Sequence, residues 1–180
     1  IQRNFKADRP LQKWTTDVTQ FHFSWGKCYL SPILDMNTNE IISYDLSMIP
    51  NLNQIKRMLN RAFKKFRNLQ GLIMHSDQGW QYQHEFYRSE LKKHGIIQSM
   101  SRKGNCYDNS IMETFFGRMK NEMYYGSEKE YTSFKVFAKA VKGVHQPLIR
   151  LAFSQFLNIR LHPLENGNSH MRQLEYHTFS

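Results

Sequence analysis

What most constrains the fold of this chain is the order of its apolar patterns. Three β-type stretches come with almost no chain between them, and strand-type and helix-type segments alternate thereafter. Lys13–Phe23 (KWTTDVTQFHF), Lys27–Asp35 (KCYLSPILD) and Glu40–Ser47 (EIISYDLS) contain the β-branched and aromatic residues that suit a pleated surface. The connection Met36-Asn37-Thr38-Asn39 has turn chemistry, because Asn bonds its own backbone and tolerates a left-handed conformation. Three strands so joined predict an antiparallel meander. A cap at Asn51 or Asn53 then opens a helix to about Phe66. Its apolar residues Leu52, Ile55, Met58, Leu59, Ala62, Phe63 and Phe66 recur at spacings of three and four. The opposite face carries Lys56, Arg57, Arg61, Lys64 and Lys65.

Leu69–His75 is a short apolar run, predicted to be a buried strand that ends at Ser76-Asp77. His84–His94 reads as a helix stopped by Gly95, and Ile96–Met100 as a fifth strand. A polar, basic loop over Ser101–Tyr107 leads to a helix from a cap at Asp108–Ser110 to about Tyr125. Ser133–Val141 is predicted to be a further helix. A meander extended by strand–helix crossovers makes an α/β fold: a mixed five-stranded sheet, antiparallel at first and then parallel, flanked by helices. That is a ribonuclease-H-like layout, an analogy of fold alone.

At 180 residues the chain suits one domain with a real core. Residues 1–140 are expected to form it, starting near residue 10. Residues 141–180 read as a divergent tail with one apolar helix near Leu148–Ile159. No apolar run has the roughly 18 residues of a membrane helix, so no membrane partner is expected. Cys28 and Cys106 make neither a CxxC pair nor a disulfide framework, which points to a reducing cytoplasmic setting. Lys plus Arg number 25 against 15 for Asp plus Glu, a net charge of +10 that suits nucleic acid. A basic protein with no such partner is the plainer alternative.

Three carboxylates fall at special places in this layout. Asp17 lies within the first strand, Asp77 at the carboxyl end of the fourth, and Glu113 one turn into the helix after the fifth. Ligand sites in α/β sheets gather at the carboxyl ends of strands. Neighbouring carboxylates repel unless a cation joins them, and hard oxygen donors suit magnesium or manganese. Taken singly, each acid has an ordinary explanation: an edge residue, turn chemistry before Gln78-Gly79, a solvated helix position. Lys120 follows Glu113 by seven residues and so returns to within about 20° of it around the helix. It is either a phosphate-seeking ammonium or a solvated lysine.

The words around these acids, with 35 residues between Asp77 and Glu113, carry a specific resemblance. W-x-x-D-V-T at Trp14–Thr19, H-S-D-x-G at His75–Gly79 and D-N-S-x-x-E-x-F at Asp108–Phe115 resemble the DDE transposase and retroviral-integrase superfamily. The likeness is greatest to the catalytic protein of bacterial insertion sequences that is read from a second, overlapping frame. It implies a transposase catalytic core, a polynucleotidyl transferase that cuts a DNA strand at an element's end and joins that end to a target. It also implies Asp17, Asp77 and Glu113 as the catalytic and metal-binding triad for two Mg2+ or Mn2+ ions. Lys120 corresponds to a DNA-contacting lysine, and homo-oligomers on double-stranded DNA are implied as the working form.

Around the triad, Arg102 and Lys103 sit in the basic loop and are expected to contact phosphate. His75 is expected to support a carboxylate, and Asn109 to cap the helix or support the triad. Trp80 and Tyr82 either stack on a splayed base or pack. The resemblance fades after Ala140, where NIRLHP at Asn158–Pro163 only echoes the closing motif of such proteins. A shifted reading frame in a decaying element copy would produce such a tail. Two alternatives therefore stand beside the transposase: an inactive DNA-binding remnant, and a ribonuclease-H-like nuclease that does not join ends. Recognition of the element's ends is expected to lie in an upstream region or on a partner polypeptide.

Overall fold

The computed structural model describes residues 6–102 and 109–144. One sheet holds β1 (Lys13–Thr16), β2 (Thr19–Phe23), β3 (Gly26–Asp35), β4 (Ile41–Ser47), β5 (Ile73–Ser76) and β6 (Ile97–Met100). Its helices are α1 (Leu52–Lys65), α2 (Trp80–Gln83), α3 (Glu85–Lys93), α4 (Ser110–Met123) and α5 (Phe134–Val144).

The expected first strand is divided. β1 and β2 run along β3 in one unbroken antiparallel register, from Trp14 opposite Asp35 to Phe23 opposite Gly26, but pairing lapses at Asp17 and Val18. The five-stranded mixed sheet is thus present with its first strand interrupted at the residue singled out by the sequence. β4 pairs the other edge of β3, while β5 runs parallel to β1 and β6 parallel to β5. The turn after β3 is fixed by Asp35, whose Oδ1 accepts from the backbone N–H groups of Asn37 and Thr38. Its Oδ2 accepts from the Trp14 indole at 3.1 Å, tying the turn to the central strand.

Pleat parity divides the core. Trp14 and Ile33 point to the side covered by α1 and α3, where they meet Ile55, Met58, Leu59 and Leu91. Phe21, Cys28, Leu30 and Leu34 point to the other side, against Phe115, Met119 and Phe137 of α4 and α5. The sheet is therefore a middle layer with helices on both faces. α1 begins at the Asn51 cap, whose side chain accepts from the Gln54 N–H at 3.2 Å.

Two boundaries differ from expectation. Leu69–Leu72 is not strand: Leu72 N–H bonds Leu69 C=O across a turn that passes through Gly71 at φ +81°. α2 was not anticipated, because four residues, WQYQ, are too few to display a helical period. The end of the basic loop, with Lys103 and Asp108, and the helix expected at Leu148–Ile159 lie outside the described residues.

Candidate active site

The register of β1 against β5 sets the site. Thr15 lies opposite His75 in this parallel pair, so two residues further on Asp17 falls beside Asp77, just past the carboxyl ends of neighbouring strands. Both have the parity that faces α4. Each carboxylate is steadied by backbone beside it: Asp17 Oδ1 accepts from Val18 N–H at 2.7 Å, and Asp77 Oδ1 from Gly79 N–H at 2.9 Å. The gap in β-pairing at Asp17 and Val18 leaves that N–H available for the side chain.

From across the layer, α4 delivers Asn109 and Glu113. Asn109 occupies the position before the first turn, yet its side chain makes no capping bond. Instead its Nδ2 donates to Asp17 Oδ2 at 2.7 Å. The expected cap is thus a partner of the first acid, and Asn109 Oδ1 is buried with no hydrogen-bond partner. Burial, above all, pushes the Asp17 carboxyl up to about 6, with the charges of Asp77 and Glu113 pushing the same way. The bonds from Val18 and Asn109 oppose that rise without cancelling it.

Asp17 and Asp77 therefore adjoin, and Glu113, exposed on the first turn of α4, acts on Asp17 through its charge. Among the described residues no three His, Cys, Asp or Glu side chains are placed so that together they could hold a metal ion. The donor set does fit a hard divalent ion: oxygen donors only, mutually repelling carboxylates, and an orphaned amide oxygen at Asn109.

The surroundings are defined in turn. His75 is buried between two serines of the β6 end, with Nδ1 3.1 Å from Ser99 Oγ and Nε2 3.3 Å from Ser101 Oγ. Those serines, in SMS at Ser99–Ser101, carry no periodic or motif signal and escape a reading of the sequence. Arg102 is exposed at the start of the basic loop. Lys120 is half-buried, with Nζ 5.4 Å from the centre of the Phe21 ring, a cation–π contact. Tyr82 is fully buried and packs, whereas Trp80 is 58% exposed. Burial pushes the Cys28 thiol up to about 12, which keeps it protonated and unreactive.

A mixed sheet covered by helices on both faces, with paired acids at the carboxyl ends of its central parallel strands, is the design of an integrase-type, ribonuclease-H-like core. Residues 7–106 match the integrase core domain family, and the chain belongs to it. It is 53% identical over 128 residues to an Escherichia coli protein named for the transposase InsK of insertion sequence element IS150, which covers 71% of this chain and 45% of that one. It is 51% identical over 146 residues to a transposase-like protein of Haemophilus influenzae, covering 81% of this chain and 65% of that one. This chain therefore spans about half to two thirds of the length of these relatives. In structure it resembles the magnesium complex of the HTLV-2 integrase catalytic core domain, with a TM-score of 0.59 at 16% identity over 78% of this chain and 90% of that one. A chain of the simian T-cell lymphotropic virus intasome aligns with a TM-score of 0.65 at 15% identity, over 94% of this chain and 62% of that one. At such identities the likeness is one of fold. No helix among the described residues is long and apolar enough to cross a membrane.

Proposed function

We propose that this chain is the catalytic core of an insertion-sequence transposase, cutting a DNA strand at the element's end and joining that end to a target. The observation that carries the reading is the adjacency of Asp17 and Asp77 off neighbouring parallel strands, with Glu113 acting on Asp17 from α4. Asp17, Asp77 and Glu113 would hold two magnesium or manganese ions. Such ions supply charge neutralisation and activation of a water or DNA 3′-hydroxyl for in-line attack on a phosphodiester.

The chain's own residues do the positioning. Val18 N–H and Asn109 Nδ2 fix the two oxygens of Asp17, and Gly79 N–H fixes Asp77. His75 meets Ser99 in β6 and Ser101 just past it, and so holds the end of β5 from which Asp77 extends. Arg102, Lys103 and Lys120 hold phosphates of the strand. The integrase-type domain, expected over residues 1–140, takes in α5 as far as Val141, which is buried in one cluster with Phe21 and Phe137. The core works in the cytoplasm as a homo-oligomer on double-stranded DNA, with end recognition in an upstream region or on a partner polypeptide.

Asp17→Asn, Asp77→Asn and Glu113→Gln should each abolish cleavage of element-end DNA while DNA binding in a mobility-shift assay stays within a few-fold of wild type. Full cleavage by any one of them sinks the triad. A strand-transfer assay with precut ends and Mn2+ then separates transposase from nuclease. Hydrolysis with no joined product would favour the nuclease.

A further inference from the structure

Beside the two aspartates lies a cavity of about 300 Å3 that the strand-cleaving reading leaves without a role. We propose that it receives a nucleobase turned out of the DNA next to the scissile phosphate, with Trp80 as its stacking platform. The proposal rests on the function above and deepens it.

Three observations support it. The first is position. Val18, which lines the cavity, donates its N–H to Asp17, and Trp80, also in the lining, follows the Gly79 that donates to Asp77. Val18 packs toward α1, so the cavity opens on the opposite side of the sheet from Glu113. A strand crossing the sheet edge at the acids would deliver its next base there. The second is chemistry. No charged side chain lines the cavity; its polar groups are the amides of Gln20, Asn51, Gln54 and Gln81 and the phenol of Tyr29. No cation is there to hold a phosphate and the start of α1 is already capped by the Asn51 side chain, whereas amides match the donor and acceptor edge of a base. Gln54 holds the floor by donating to the carbonyls of Tyr29 and Asp45, which leaves Gln81 at the part-exposed rim beside Gln20, whose amide nitrogen meets the His22 ring. The third is exposure. Trp80 stays in solvent where Trp14 and Tyr82 are fully buried, and Ile49, 62% exposed, precedes the Pro50 that forms another wall. An open aromatic face is a platform for any base, and exposed aliphatic side chains are the kind that wedge between base steps.

The test uses the full chain and a single-stranded tetranucleotide carrying 2-aminopurine, titrated by quenching of the base's emission. Wild type should quench saturably, Trp80→Ala should bind about 5- to 150-fold more weakly, and Trp80→Phe should retain most of the affinity. A tetranucleotide abasic at the reporter position, followed by mobility shift, should bind wild type as weakly as the intact one binds Trp80→Ala, with no further loss when the two changes are combined. Wild-type affinity in Trp80→Ala, or an equal loss for intact and abasic strands, overturns the proposal. Cleavage by Asp17→Asn is measured in parallel. If that variant is inactive while Trp80→Ala binds normally, only the base pocket falls; if it cleaves normally, the triad falls instead.

Discussion

Asp17 is where the local chemistry is least at ease. Its carboxyl titrates near 3.8 in an unfolded chain and near 6 in the folded one, because burial and two neighbouring acids disfavour its charge. Below pH 3.8 both states hold the proton and nothing is lost. As pH rises to about 6 the unfolded chain releases its proton first, so stability falls across that window and stays reduced above it. Asp17→Asn should therefore stabilise the metal-free protein at pH 7 by about 1–2 kcal/mol in urea titration, with the gain vanishing near pH 3.5. The Asn109 amide can turn so that its unpartnered Oδ1 accepts from the new side chain. Adding Mg2+ should raise the Tm of wild type and leave that of the variant nearly unmoved. At this scale the placing of Asp17 and Asp77 at neighbouring strand ends was legible from spacing and surrounding words. The Asn109 bond was not, since D-N-S before a helix reads as capping chemistry, and only the docking of α4 against β1 reveals what the amide faces.

Elements were legible wherever a pattern was long enough to repeat. α1 has its Asn51 cap and the apolar stripe read from its sequence, and α3 stops where Gly95 said it would. The stop is a Schellman motif: Ile96 N–H bonds Leu91 C=O at 2.9 Å and Gly95 N–H bonds Lys92 C=O at 3.1 Å. Leu91 and Ile96 share the same buried cluster, so the motif both ends the helix and starts β6. Gly95 sits at φ +67°, and a Cβ there would lie 1.9 Å from the Gln70 side chain. Gly95→Ala should cost about 1–2 kcal/mol by chemical denaturation, from the left-handed conformation alone. Removing the obstructing amide with Gln70→Ala should recover only the steric part. What escaped was short or broken: α2 has four residues, and the lapse between β1 and β2 is a feature of pairing that TTDVT cannot display on its own.

For the whole molecule, the net charge of +10 announced a polyanionic partner without saying which cations serve it. The fold withdraws some of them. Arg57 and Arg61 on α1 both pair with the buried Asp45, at 2.7 and 2.8 Å, so part of that basic face is tied to the end of β4. Lys120 lies on the α4 side with the acids, and its contact with Phe21 gives it a packing role beside the proposed phosphate contact. Salt dependence separates the two roles, because only a cation that displaces counterions from phosphate changes the slope of log Kobs against log[salt]. Wild type bound to element-end duplex should show a steep negative slope. Lys120→Ala should weaken binding and make that slope shallower by about one unit if it meets a phosphate. An unchanged slope with a lowered Tm would assign Lys120 to packing against Phe21. Arg61→Ala serves as the contrast: it breaks the ion pair with Asp45 and should lower stability while leaving the slope unchanged.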